Sequence, residues 1–217
     1  MREQVIQSIL DHKIIVIVRG IDGDLIVPTA KALYEGGIRL MEVTYNQKDP
    51  SSFYKTADAV RAIREAMGDK MLVGTGTVTT PELVEMSAEA GALFIISPDT
   101  DADVIRRTRE LGLVSLPGAY TATEAKQAHK AGADFVKLFP CIDGNPAYLK
   151  ALTAPLSHIR FLAVGGVTAD TAAIFLKAGA VGIGVGSSLV NKKWVEEGRF
   201  DLITEEARKF VRNLASV

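Results

Sequence analysis

Short runs of β-branched and apolar residues recur at about 14–18, 38–43, 71–75, 92–96, 113–116, 133–138, 159–163 and 180–185, with helix-like amphipathic segments between them. A repeated junction links the two patterns. Glu35-Gly36-Gly37-Ile38, Glu89-Ala90-Gly91-Ala92, Glu110-Leu111-Gly112-Leu113, Lys130-Ala131-Gly132-Ala133 and Lys177-Ala178-Gly179-Ala180 each end a helical pattern on glycine and open a strand. Glycine at a helix C-cap takes a left-handed backbone at little cost. Five copies imply a repeated helix-to-strand unit, hence parallel strands joined by right-handed crossovers. Eight such units close most simply into a single (β/α)8 TIM barrel, although an open doubly wound sheet shares the local pattern. Residues 2–11 are expected to form an N-terminal helix covering the bottom of the barrel, and 201–215 a helix after the eighth strand. No Gly/Ser/Pro-rich linker divides the chain, so one α/β domain spanning 1–217 is expected.

Against this apolar pattern the polar exceptions carry the information. Lys137 lies inside Ala133-Asp134-Phe135-Val136-Lys137-Leu138-Phe139-Pro140, a run that reads as a buried strand. Desolvating an ammonium costs several kcal/mol, so such a lysine needs a partner or a task. Apolar surroundings lower its pKa and free the amine to attack a carbonyl, forming a Schiff base. Polar residues also gather where strands end: Arg19 after the first, Glu42-Val43-Thr44 in the second, Gly74-Thr75-Gly76-Thr77, Ser97-Pro98 and Pro117-Gly118 in the next three. Barrel enzymes build their sites at those carboxyl ends. By two-residue alternation Lys137 shares a face with Phe135 and Phe139, and Glu42 with Leu40 and Thr44. Together they supply the nucleophile and proton shuttle of carbinolamine chemistry. The competing structural reading makes Glu42 and Lys137 an ion pair and Arg19 a solvated strand end.

A second site follows from glycines. Ala163-Val164-Gly165-Gly166-Val167-Thr168 ends the seventh strand, and Gly182-Ile183-Gly184-Val185-Gly186-Ser187-Ser188 ends the eighth, ahead of an expected short helix. Glycine lets backbone amides approach an anion, and loops after strands seven and eight form the usual barrel phosphate site. The alternative is that these glycines only make room for helix–strand packing.

Composition narrows the class. Of 217 residues, 47% are hydrophobic and 24% charged, with a formal net charge of −1, which argues against disorder and against a nucleic-acid partner. No apolar stretch reaches the roughly 18 residues of a membrane span. Met1-Arg2-Glu3-Gln4 carries an acid and leads into an amphipathic segment unlike a signal-peptide core, so a cytoplasmic protein is expected. The lone Cys141 rules out an intramolecular disulfide and, with no histidine placed to activate it, reads as a packing residue. His12, His129 and His158 fall at back or outer positions, so no histidine-held metal and no cofactor are expected.

The ordered set Met41-Glu42-Val43-Thr44, Val73-Gly74-Thr75-Gly76-Thr77-Val78, Ile96-Ser97-Pro98, Leu116-Pro117-Gly118, Val136-Lys137-Leu138-Phe139-Pro140, Gly165-Gly166-Val167 and Gly184-Val185-Gly186-Ser187 spans nearly the whole chain. It resembles the class I 2-keto-3-deoxy-6-phosphogluconate (KDPG) and 2-keto-4-hydroxyglutarate (KHG) aldolases. The resemblance implies a metal-independent carbon–carbon lyase acting on a small keto acid, typically as a homotrimer. It matches Lys137 to the Schiff-base lysine and Glu42 to an acid/base acting through a water. Thr77 matches a neighbour of the pyruvyl carboxylate, and Phe139 and Pro98 the walls around the pyruvyl group. Arg19, Gly165, Gly166, Gly186 and Ser187 match the phosphate end. The chain departs from the pattern twice. Asn46-Gln47 stands where many members place a carboxylate-clamping arginine, and Val164 where many place threonine. A guanidinium fits a carboxylate bidentately, so Gln47, Asn46, Thr77 or Arg19 is expected to substitute.

Overall fold

The computed structural model describes residues 1–21, 23–141 and 145–215. Helix α1 (Arg2–His12) precedes β1 (Ile14–Val18). The chain then alternates through α2 (Ile26–Glu35), β2 (Leu40–Thr44), α3 (Phe53–Met67), β3 (Leu72–Gly76), α4 (Pro81–Glu89), β4 (Phe94–Ile96) and α5 (Ala102–Glu110). Two short strands, β5 (Val114–Leu116) and β6 (Gly118–Ala119), lead to α6 (Ala122–Ala131), β7 (Val136–Leu138), α7 (Pro146–Thr153) and β8 (Phe161–Val164). The remainder is α8 (Ala169–Lys177), β9 (Gly182–Val185), α9 (Lys192–Glu196) and α10 (Phe200–Leu214).

All the strand pairs are parallel, in the order β5-β4-β3-β2-β1-β9-β8-β7-β6. The two ends of that order are halves of one strand. Only Pro117 separates β5 from β6, and its nitrogen has no proton to donate. Carbonyls still bridge the break: Ser115 accepts from the amides of Asp134 and Phe135, and Pro117 from that of Lys137. The ring therefore closes with eight staves, the expected barrel.

The five glycine junctions behave alike. Gly37, Gly91, Gly112, Gly132 and Gly179 have φ of 97°, 88°, 72°, 107° and 109°. After each, the next residue's amide returns to the preceding helix: Ile38 to Leu33, Ala92 to Ser87, Leu113 to Thr108, Ala133 to Ala128 and Ala180 to Phe175. This six-to-one bond is the Schellman closure. It also corrects the strand starts. The apolar residue after each glycine finishes the helix cap, so pairing begins later, at Leu40, Phe94, Val114, Val136 and Gly182.

Inside the barrel, Ile15, Leu40, Phe94, Val114, Phe135 and Leu162 form a buried cluster with Val5, Ile6 and Ile9 of α1, which plugs the floor. Burying each large side chain contributes about 1.5–3 kcal/mol. One alternation step above Leu40 and Phe135 come Glu42 and Lys137, so the floor's apolar packing sets the height of both charges.

Candidate functional site

The carboxyl ends of the strands surround a cavity of about 310 Å³, lined among others by Arg19, Glu42, Thr77, Pro98, Lys137, Phe139, Gly165, Gly166, Gly186 and Ser187. Every site residue singled out from the sequence reaches it except Gln47. Gln47 donates through Nε2 to the Thr77 carbonyl at 2.8 Å, and so braces the wall without lining it. Asn46 lies in a neighbouring cavity shared with Arg19 and Lys55. Of the four candidates to replace the missing arginine, Arg19 and Thr77 therefore face this cavity.

Lys137 is 8% exposed, and its Nζ lies 4.6 Å from the centre of the Phe139 ring. Burial holds its pKa below the ordinary lysine value; Glu42 opposes the shift and Arg19 adds to it. Glu42 is 1% exposed. Burial raises its pKa, with Lys137 and then Arg19 opposing. Each group is thereby moved toward its neutral form, the state in which an amine attacks and a carboxyl can hand over a proton.

The two groups are not a contact ion pair: no lysine–carboxylate approach within 4.0 Å joins them, and Oε2 of Glu42 is buried with no hydrogen-bond partner among the described residues. A structural pair would close that gap. Room for the carboxylate comes from β3. A Cβ on Gly76 would lie 1.5 Å from Oε1 of Glu42, so any larger residue there would displace the carboxylate.

Thr77 holds a left-handed backbone, φ 58°, rarely taken by a β-branched residue. Arg19 donates to its Oγ1 at 3.1 Å while Gln47 holds its carbonyl, so two side chains maintain the strained turn. Neither brace was legible in the sequence, because both partners lie far from Thr77 along the chain.

At the opposite rim, Gly165 and Gly166 have φ of 92° and 77°. Phe139 would lie 3.2 Å from a Cβ on Gly165, so that glycine also makes space for the aromatic wall. Thr168, which lines the cavity, caps α8 in a reciprocal box with Thr171, bringing a helix amino terminus to the rim. Ser188 donates to the Val167 carbonyl at 2.8 Å, tying the two glycine loops together, which leaves Ser187 as the exposed hydroxyl beside Gly186. The short helix expected there, α9, begins only at Lys192, because residues 187–190 form a turn first. Cys141 is buried, bonded through Sγ to the Leu138 carbonyl, and burial raises its pKa, as suits a packing thiol. His129 and His158 stack edge-to-face on each other, 5.0 Å apart, away from the cavity.

A family model for KDPG and KHG aldolases matches residues 5–206. The chain is 40% identical over 177 residues to 2-dehydro-3-deoxy-6-phosphogalactonate aldolase of Escherichia coli (strain K12), covering 81% of this chain and 83% of that one. It is 34% identical over 186 residues to the KHG/KDPG aldolase of the same strain, covering 85% and 84%. A solved structure of native KDPGal superposes with a TM-score of 0.84 at 35% identity, over 94% of each chain. Fold and kinship define a metal-independent class I aldolase, a carbon–carbon lyase of the Schiff-base kind. The chain belongs to the KDPG and KHG aldolase family.

Proposed function

We propose that the protein cleaves a 2-keto-3-deoxy-6-phospho sugar acid to pyruvate and glyceraldehyde 3-phosphate, with Lys137 as nucleophile and Glu42 as proton shuttle. The observation that carries this reading is that buried Lys137 and buried Glu42 face one cavity at the strand ends without an ion pair between them, one Glu42 oxygen having no hydrogen-bond partner among the described residues. The neutral amine of Lys137 attacks the C2 ketone, and loss of water gives an iminium. Glu42 takes the proton of the C4 hydroxyl as the C3–C4 bond breaks, and its electrons pass to the iminium nitrogen, leaving an enamine. The aldehyde departs, the enamine carbon is reprotonated, and hydrolysis frees pyruvate and the amine. Thr77 stands at the pyruvyl carboxylate, with Arg19 at hydrogen-bond distance from it, while Phe139 and Pro98 wall the pyruvyl group. The phosphate is received by Gly165, Gly166, Gly186 and Ser187, helped by the amino terminus of α8.

The galactonate epimer at C4 is the favoured form of that substrate. Val164 presents methyl groups to the cavity where the resemblance places threonine in many family members, so this wall lacks a hydroxyl and its preference among hydroxyl epimers is expected to differ from theirs. The 40% identical relative named for the galactonate substrate agrees. Initial rates of pyruvate release from the two phosphorylated epimers and from 4-hydroxy-2-oxoglutarate test both points. The expected order in kcat/KM is galactonate at or above gluconate, with both about tenfold or more above the unphosphorylated acid. A preference for the unphosphorylated acid would overturn the phosphate assignment.

A further inference from the structure

Behind the cavity, on the outer face of the barrel, three hydroxyls meet in a fully buried cluster. Tyr45 and Ser87 lie 3.0 Å apart between oxygens, Thr75 donates to Ser87 Oγ at 2.7 Å, and Ser87 donates to the Leu83 carbonyl at 2.6 Å. All three residues are 0% exposed. Ser87 has one proton and two lone pairs. Since its proton goes to Leu83, both Thr75 and Tyr45 must donate to it, and every hydroxyl hydrogen in the cluster has an acceptor. The cluster locks the carboxyl ends of β2 and β3 onto α4. Its reach continues along the backbone: the amide of Tyr45 donates to the carbonyl of Gly76 at 2.9 Å.

Gly76 is the residue on which the Glu42 carboxylate rests, with no room for even a methyl group. No hydrogen bond orients that carboxylate; Oε2 has none and no side-chain bond of Glu42 is present among the described residues. A group so placed is positioned by the surface it packs on. We infer that Tyr45, acting through Ser87 and Thr75, is a positioning residue that fixes β3 beneath Glu42 and so sets the geometry of proton transfer. The inference rests on the assignment of Glu42 above. The charged groups facing Glu42 are Lys137 from β7 and Arg19 after β1, and neither touches the cluster.

Tyr45→Phe removes one oxygen and keeps the buried ring against Phe53. A displacement of an ångström at a reacting group can cost up to about 10²-fold in rate. The expected result is a fall in kcat of roughly tenfold with KM within about twofold, and with full borohydride trapping of pyruvate on Lys137. The acid limb of the pH–rate profile should move to lower pH as the carboxylate shifts toward water. Ser87→Ala should do the same, and the double variant should lose little more than either alone, because the hydroxyls act as a unit. A lowered melting temperature with unchanged kcat and pH profile in both single variants would reduce the cluster to a structural role and overturn the inference. Glu42→Gln is run alongside. If it slows turnover while Tyr45→Phe does not, only the positioning inference fails; if Glu42→Gln turns over normally, the acid/base assignment fails and this inference with it.

Discussion

The two ends of the barrel treat an acid withdrawn from water in opposite ways: Glu42 is buried and Asp134 half-buried. At the floor, Asp134 precedes β7 and is met by Arg2 of α1, by Arg109 of α5 at 3.1 Å, and by the Ser115 amide at 3.0 Å. At the mouth, Glu42 keeps one oxygen without a hydrogen-bond partner among the described residues and stands clear of Lys137. Burial pushes both carboxyls upward, but only Asp134 has contact partners on its oxygens to offset the cost. The floor is arranged for stability, holding α1 across the apolar interior. The mouth retains a buried and unsatisfied acid, a left-handed threonine and a desolvated lysine, which are costs a fold carries where it does chemistry.

The sharpest break of this contrast is Lys137→Ala, which should abolish pyruvate release while leaving circular dichroism and melting temperature close to native, because the desolvation cost removed with the ammonium offsets the lost packing and the contact with Phe139. Next comes Gly76→Ala. The added methyl overlaps the Glu42 carboxylate, and kcat should fall by about 10²-fold from displacement of the acid. Native kcat in that variant would remove Glu42 from the mechanism. Asp134→Ala acts at the other end. Removing the carboxylate leaves the Ser115 amide without its acceptor, Arg109 without its Asp134 contact and Arg2 with Glu3 alone, which should cost about 1–3 kcal/mol and lower the melting temperature by about 2–12 °C, with kcat per folded molecule unchanged. Lost activity without lost stability would erase the division between floor and mouth.

The smallest effect is a pH-dependent gap. Because the folded pKa of Glu42 is raised, its contribution to stability is whole below the unfolded carboxyl value of about 4.3 and is lost as pH rises through the folded value. Glu42→Gln never ionises, so its melting temperature should exceed the native one by an amount that grows as pH rises above the unfolded carboxyl value of about 4.3. A gap that shrinks with rising pH would contradict the burial of an unpaired carboxylate.

The same contrast explains what the sequence made legible. Lys137 and Glu42 stood out because a charge inside an apolar strand pattern is a local anomaly. The glycine junctions stood out because a left-handed cap needs glycine at one fixed place. Pairing boundaries were hidden, since Ile38, Ala92 and Ala133 are as apolar as strand residues yet give their amides to a helix cap. The continuity of the fifth stave was hidden by Pro117-Gly118, a dipeptide that also reads as a strand end. Gln47 looked like a substrate ligand because it follows the second strand, yet its amide turns to the Thr77 carbonyl. Arg2 lies 132 residues from Asp134 and Ser87 lies 42 from Tyr45, and no local pattern joins them.

The central claim is that Lys137 forms the imine. Incubating the protein with pyruvate and borohydride, then measuring intact mass and mapping the modified peptide, tests it directly. The account predicts a single reduced pyruvyl adduct on Lys137, absent in Lys137→Ala. An adduct on another lysine, or none on a folded and active protein, would contradict it.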